Sequence, residues 1–304
     1  MSASARAPSR ASGVRAAALL VAGLAAASAA AQPRAPEPGV TIVAAGDIAD
    51  CGSDGAQFPN AARTAALIRP GDAVVLTLGD NVYPAGAPES FDGCFASTWG
   101  QVRDRIRPSP GNHDYMTTDA AGYFGYFGSA AGPAGRGYYS FDLGGWHFIS
   151  LNSNVDASAG SPQYRWLQAD LAASVDTLCA LAYWHHPVFT SGPHGNDPRM
   201  TAIWALLHAA GVEIVLVGHD HIYERFAPQD AAGNADPDRG VRAFTAGTGG
   251  APLYSIRAVR QNSEFRDNSS FGVLRLTLLP DAYRWAFIPV SGAARDEGAD
   301  RCHR

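Results

Sequence analysis

The chain has 304 residues, 46% hydrophobic and 17% charged, which is enough to bury a substantial core and too apolar for a disordered chain. Its 28 acidic residues outweigh 23 basic ones, all of them arginine, for a formal charge of -5. That balance, without a basic stripe, argues against a nucleic-acid partner. It leaves phosphate esters open, because metal cations can supply a local positive field.

Residues 1–31 read as a signal peptide. Arg6, Arg10 and Arg15 precede an apolar run from Ala16 to Ala27, and Ala29-Ala30-Ala31 offers a small-residue cleavage site. The run is short for a membrane span, and no segment has 18 consecutive apolar residues. The mature protein is therefore expected to be secreted or periplasmic, with no membrane association. Residues 32–39 read as a Pro-rich flexible leader, and 40–304 as one domain.

From Val40 onward, strands alternate with helices. Val40–Ala45 and Ala73–Leu78 are apolar strands that each end in Gly-Asp. Asn60–Ile68 and most of Phe91–Ile106 are expected to be helical. Tyr138–Asp142 and Trp146–Leu151 form a strand pair around Gly144-Gly145. Ser161-Pro162 and Asp197-Pro198 open two further helices, the second with Met200, Ile203, Trp204 and Leu207 on one face. Leu178–Trp184 and Val212–Val217 are buried-type strands, and Val241–Ala246, Phe271–Leu278 and Tyr283–Pro289 close the chain as β-structure. Residues 116–136 and 228–240 are expected to be exposed loops. The pattern is α/β: two packed sheets with helices outside.

Export permits disulfides. Cys51, Cys94, Cys179 and Cys302 allow three pairings, which sequence alone does not decide. The preferred one joins Cys51 to Cys94, tying two loops near the polar segments, and Cys179 to Cys302, pinning the tail. No CxxC is present, so a structural zinc site is not expected.

Five short segments hold the chemistry: Gly46-Asp47-Ile48, Gly79-Asp80-Asn81-Val82-Tyr83, Gly111-Asn112-His113-Asp114, Trp184-His185-His186-Pro187 and Gly218-His219-Asp220-His221. Four follow a predicted strand directly, and the third follows a β-like stretch at Arg107–Pro110. Ligands of open α/β sheets bind outside the carboxyl ends of strands, so the segments are expected to converge. Carboxylate, imidazole and amide oxygen without thiolate favour a hydrolytic dinuclear centre of iron, manganese or zinc, with a carboxylate bridging the two ions. There is no Gly-x-Ser-x-Gly elbow for a covalent serine route.

The order GD, GDxxY, GNHD, HxP and GHxH resembles the purple acid phosphatase signature within the calcineurin-like metallophosphoesterases, over about residues 40–290. The resemblance implies the metallophosphoesterase fold: two packed mixed β-sheets flanked by helices, with a dinuclear metal site at strand C-terminal ends. It places Asp47, Tyr83 and His221 on one metal, Fe(III) in that family. Asn112, His185 and His219 fall on a second, divalent ion (Fe, Zn or Mn), and Asp80 bridges the two. His113 and His194 match the substrate-facing histidines, which bind phosphate oxygens or protonate the leaving alcohol. The implied activity is acid phosphatase-like hydrolysis of small phosphate monoesters by a metal-activated water. A phosphodiesterase of the same fold and a non-catalytic, metal-stabilised module are the rival readings.

Two departures stand out. Ala49 occupies a position where the family usually has Gly, so the loop before Cys51 is expected to differ in shape. With 39 residues before Val40, the N-terminal β-sandwich of the large plant enzymes is not expected. Among the remaining residues, His147 reads as packing, His186 as a neighbour of the ligands, and His208 and His303 as surface. Glu224-Arg225 reads as a pair ordering the His221 loop, and Asp114 as an orienter of a nearby histidine. Gly247-Thr248-Gly249-Gly250 reads as a tight turn beside the site, and Tyr123, Phe124, Tyr126 and Phe127 as core.

Overall fold

Alternate residues of the first strand face two different cores. Ile42 and Ala44 point one way, Val43 and Ala45 the other, and all four are fully buried. Such a strand needs cover on both faces, which a sheet lying between a second sheet and a helical layer provides. The computed structural model describes residues 1–4, 39–52 and 59–303. The chain divides into Met1–Pro36 and Glu37–Arg304, and every described strand and helix belongs to the second unit. The expected signal and leader fall almost wholly outside the described residues.

The strands are β1 (Val40–Ala45), β2 (Ala49–Asp50), β3 (Val74–Leu78), β4 (Val82–Tyr83) and β5 (Ile106–Ser109). They continue as β6 (Tyr139–Leu143), β7 (Trp146–Ser150), β8 (Cys179–Tyr183), β9 (Ile214–Val217) and β10 (Tyr223–Phe226). The last five are β11 (Arg242–Ala246), β12 (Ser263–Asp267), β13 (Gly272–Leu279), β14 (Ala282–Pro289) and β15 (Arg295–Arg301).

One mixed sheet has the order β15-β14-β13-β1-β3-β5, with β1, β3 and β5 parallel. The other runs β12-β10-β11-β9-β8-β7-β6, with β11, β9, β8 and β7 parallel. The sheets pack face to face. Leu76 and Leu78 of β3 share a core with Trp146, Phe148, Leu181, Leu216 and Phe244 of the second sheet. The outer faces carry Val75 on one side, among Phe91, Trp99 and Phe127, and Val215 on the other, among Leu167, Ile203 and Trp204. Helices at Pro59–Ala65, Ala121–Phe127, Pro162–Ala173 and Thr201–Ala210 cover them. Ser161 caps the third by accepting from Tyr164 N.

Several expectations need correction. The helix expected over Phe91–Ile106 is instead a π-type turn (Phe91–Phe95), a 3₁₀ stretch (Trp99–Arg105) broken at Val102, and then β5. Gly93 and Gly100 weaken any continuous helix there. The expected loop at 116–136 contains the helix Ala121–Phe127, with Tyr123 and Phe127 buried in the core. Composition misread it because Gly122 serves a close approach rather than a turn: a Cβ there would lie 2.0 Å from Gly86 O. His303 is not a surface residue: its Nδ1 lies 2.8 Å from Glu213 Oε2, and its backbone N–H donates to Oε1. Short or charged strands β2, β4, β10, β12 and β15 gave no apolar run to read. Disulfides join Cys51 to Cys94 and Cys179 to Cys302.

Candidate metal centre

The strand ends β1, β3, β5, β8 and β9 open on one edge of the two sheets, and each is followed by one of the five polar segments. Backbone bonds lace these turns together. Asp47 N–H donates to Gly79 O and Ile48 N–H to Asp80 O, which extends the β1–β3 pairing past the strand ends into β2–β4. Gly218 N–H donates to His185 O, joining the turns after β8 and β9. Ala49 sits in extended β2, a conformation its Cβ tolerates.

Asp47, Asp80 and His219 have φ of 58°, 49° and 69°. Non-glycine residues adopt this left-handed region at a cost, and such strain collects where a side chain must be aimed. Close approach is enforced as well. A Cβ on Gly111 would lie 2.1 Å from Asp80 Oδ1. In the turn 247–250, a Cβ on Gly247 would lie 2.7 Å from Asp47 Oδ2. That turn bonds directly to the Asp47 segment, Gly249 N–H donating to Gly46 O.

The side chains meet lone pair to lone pair. Tyr83 Oη lies 2.9 Å from Asp47 Oδ1, 2.9 Å from Asp80 Oδ2 and 3.0 Å from His221 Nε2. His221 Nδ1 faces Pro252 O at 2.7 Å, so it carries the proton and Nε2 is an acceptor. One phenolic proton cannot satisfy three acceptors. On the other side, His185 Nδ1 donates to Leu78 O at 2.8 Å, which leaves Nε2 facing the pocket to carry a proton or, in its place, a cation. That atom lies 3.0 Å from Asn112 Oδ1, 3.3 Å from Asp80 Oδ2 and 3.2 Å from His219 Nδ1. Two groups of acceptors, both touching Asp80 Oδ2, fit two cations with that carboxylate between them.

The second carboxylate oxygens are held by backbone. His113 N–H donates to Asp80 Oδ1 at 2.7 Å and His219 N–H to Asp47 Oδ2 at 2.9 Å. Burial would raise the Asp47 carboxyl, but His221, His185 and His219 around it hold it well below the usual carboxylate range. Burial would lower the His185 imidazole, but Asp80 and Asp47 push it up to about 9. Burial, then His185 and His194, lower His219 to about 2. The carboxylates thus draw positive charge to His185, and that charge is kept off His219. All seven expected ligand residues and His113 converge here.

His113 directs Nδ1 at Pro84 O (2.6 Å), packs its ring at a tilt 4.2 Å from that of Tyr83 and turns Nε2 toward Asp80 Oδ2 at 3.9 Å. His194 stands at the mouth, 44% exposed, with its ring 4.2 Å from that of His219. Its Nδ1 faces the buried Asp220 carboxylate at 2.7 Å, leaving Nε2 for the pocket. Asp220 also accepts from the Thr190 hydroxyl. His186 joins His185 and His219 in a group whose ligand atoms lie within 4.8 Å. Both of its ring nitrogens are already engaged, by Ser153 Oγ and Arg199 Nη1.

Two expected orienting roles do not hold. Asp114 accepts from Gly111 N–H and from the Asn81 amide and side chain, so it braces the Asn112 turn rather than a histidine. Burial, then Asp80, raise its carboxyl to about 7. Glu224 and Arg225 point to opposite faces of β10 and do not pair. Glu224 accepts from Ser191, and Arg225 bonds Asp296. His147 is buried between Asp142 and Asp170, away from the centre. Sequence reading missed Asp220 as the partner of His194, although its place between two histidines was a usable signal. Tyr254, stacked at 3.9 Å on His221, gave none.

The family profile described as calcineurin-like phosphoesterase matches residues 34–223. Purple acid phosphatase 21 of Arabidopsis thaliana is 38% identical over 152 residues, 47% of this chain and 34% of that protein. The acid phosphatase of Aspergillus ficuum is 31% identical over 150 residues, 46% of this chain and 24% of that one. The chain thus spans a minor part of these relatives' length. The structure of purple acid phosphatase PPD1 from yellow lupin (Lupinus luteus) seeds shares the fold, with a TM-score of 0.69 at 19% identity, over 86% of this chain and 53% of that one.

Proposed function

The chain belongs to the calcineurin-like phosphoesterase family, and from that premise we propose that it is an exported phosphomonoesterase of the purple acid phosphatase kind. Residues 40–304 are then its catalytic domain and 1–31 its export signal. The observation that carries this reading is the convergence of unsatisfied lone pairs from Tyr83, Asp47, Asp80 and His221 and from His185, Asn112 and His219. Asp47, Tyr83 and His221 would hold a ferric ion, since a buried phenolate is a hard anionic ligand. Asn112, His185 and His219 would hold a divalent ion, with Asp80 between. Two such ions supply an activated water and a positive field for the phosphoryl oxygens.

The protein's own groups do the rest. The backbone bonds from His113 to Asp80 and from His219 to Asp47 hold the carboxylates without spending their free oxygens. His194 Nε2, fixed by Asp220, donates to a phosphoryl oxygen or returns a proton to the leaving alcohol. His113, fixed through Pro84, presents its Nε2 from the facing wall. Two disulfides and the absence of a membrane-length apolar helix among the described residues are compatible with export.

The test is metal analysis and a visible spectrum of purified protein, with kcat/KM on an aryl phosphate and on its bis-aryl diester. Two metals, one of them iron, with higher kcat/KM on the monoester supports the proposal. A higher value on the diester overturns it in favour of a phosphodiesterase.

A further inference from the structure

A second feature lies one imidazole away from the candidate ligands. His186 packs its ring 4.3 Å from that of His219, and its other edge meets Arg199. Ser153 Oγ accepts from the His186 backbone N–H at 3.1 Å and faces its Nδ1 at 2.8 Å. Arg199 Nη1 can only donate, so Nε2 accepts and Nδ1 of the neutral ring carries the proton. Nε2 offers its lone pair to Arg199 Nη1 at 3.3 Å.

Arg199 is fixed on three sides. Nε pairs with Asp197 Oδ2 at 2.8 Å, and Nη1 also donates to Ser153 O at 3.2 Å. Asp197 in turn accepts from the Arg199 backbone N–H, so one carboxylate caps the turn and braces the fork. Nη2 has no protein partner among the described residues, and the side chain is 45% exposed. It borders an open groove of about 720 Å³ whose other polar walls are Ser153, Asn154, Ser158, Thr201 and the Asp197 carboxylate that is already paired with its Nε. No aromatic side chain among the described residues lines that groove. A held guanidinium with one free N–H₂ suits a phosphate or carboxylate oxygen. Hydroxyl and amide walls suit a polyhydroxyl skeleton better than an aryl group.

Resting on the phosphoesterase reading above, we propose that this groove is a leaving-group subsite in which Arg199 binds a second anion. The preferred substrates are phosphate monoesters of a polyhydroxyl skeleton that carries a further phosphate or carboxylate. Binding energy gathered at the remote anion then acts on the ester held at the metal centre.

The experiment compares kcat/KM of the metal-loaded protein on glucose 6-phosphate, glucose 1,6-bisphosphate, 6-phosphogluconate and p-nitrophenyl phosphate. One or both doubly anionic sugars should exceed glucose 6-phosphate by about tenfold, and which one does identifies the anion. In Arg199→Gln that ratio should fall to within about twofold, while Arg199→Lys keeps part of it because the charge remains. Melting curves of both variants check that they fold. A wild-type ratio near one, or a ratio that survives Arg199→Gln, overturns the subsite. Hydrolysis of p-nitrophenyl phosphate without any sugar preference sinks only the subsite, whereas no hydrolysis of any of the four sinks the phosphoesterase reading with it.

Discussion

The phenol oxygen of Tyr83 lies 2.9 Å from Asp80 Oδ2, and its single proton cannot serve Asp80, Asp47 and His221, which crowd the same point. Tyr83→Phe removes that oxygen and keeps the ring that packs against His113. The expected outcome is loss of the visible absorption band, less bound iron, and a fall in activity of about tenfold or more, as for other weakened metal sites. Elemental analysis and absorption spectra of both proteins decide. A colourless wild type holding two zinc ions would remove the reason for assigning iron.

Metal removal should cost stability as well as activity. Asp47, Asp80 and His185 are buried together, and a cation bound only by the folded state stabilises it in proportion to the logarithm of its concentration over Kd. Dialysis against a chelator is expected to abolish hydrolysis and lower Tm by several degrees, with both restored on refilling. In Asp80→Asn, which lacks the shared carboxylate, Tm should no longer respond to chelator. An unchanged chelator response in that variant would place the metals elsewhere.

Much of this was legible before any coordinates. Gly-Asp after an apolar run marks a strand that ends in a sharp turn, so Asp47 and Asp80 could be set on one sheet edge from pattern alone. The same logic set Trp184-His185-His186 and Gly218-His219 at the ends of β8 and β9, and the family resemblance, with Pro187 two residues on, chose His185 over His186. The partners that aim these groups were less visible, because they depend on contacts between distant segments. Nothing in the sequence ties Asp114 to Asn81 rather than to His113, or Glu224 to Ser191 rather than to Arg225. Tyr254 reaches His221 from a loop without periodicity.

Asp220 should matter through His194 alone. It is buried, and its Oδ1 fixes His194 Nδ1 at 2.7 Å. Asp220→Asn keeps the volume and the bond to Thr190 but no longer selects the orientation that leaves Nε2 facing the pocket. A loss of about 10–100-fold is expected, carried in kcat rather than KM, with an altered pH profile. His194→Ala should be no worse with Asp220→Asn added than alone. Additive losses would show that Asp220 acts through something else.

His147 gives a pH dependence independent of the metal centre. Burial disfavours its charged form, but bonds to Asp170 (2.9 Å) and Asp142 (2.7 Å) outweigh that and raise its pKa above the ordinary 6.5. A raised folded value adds stability that is fully present below the unfolded pKa and is lost as pH rises through the folded one. Wild type should therefore melt above His147→Gln by its largest margin below about pH 6.5, and the margin should shrink on the alkaline side. A margin that is flat or grows with pH would contradict the charged clamp between the β6–β7 hairpin and the helix Pro162–Ala173.

The two disulfides should separate by loop length and by place. Cys179–Cys302 closes 123 residues and ties β8 of one sheet to the tail that follows β15 of the other. Cys51–Cys94 closes 43. Loop entropy alone makes the longer one worth about 1 kcal/mol more, within a total of about 3–5 kcal/mol for each. Cys302 and His303 are also held by backbone bonds to Asp281 O and Glu213, which limits how far the tail frays once the bridge is gone. The paired Cys179→Ala and Cys302→Ala variant should lower denaturant stability and leave kcat near wild type, because nothing it touches reaches the metal centre. The Cys51→Ala and Cys94→Ala variant should lose less stability but bind metal more weakly. Cys51 N–H bonds the carbonyl of Tyr83, so loosening that segment shifts a ligand directly. Urea titrations and metal titrations of the two variants check this, and weaker metal binding in the first pair alone would reverse the assignment.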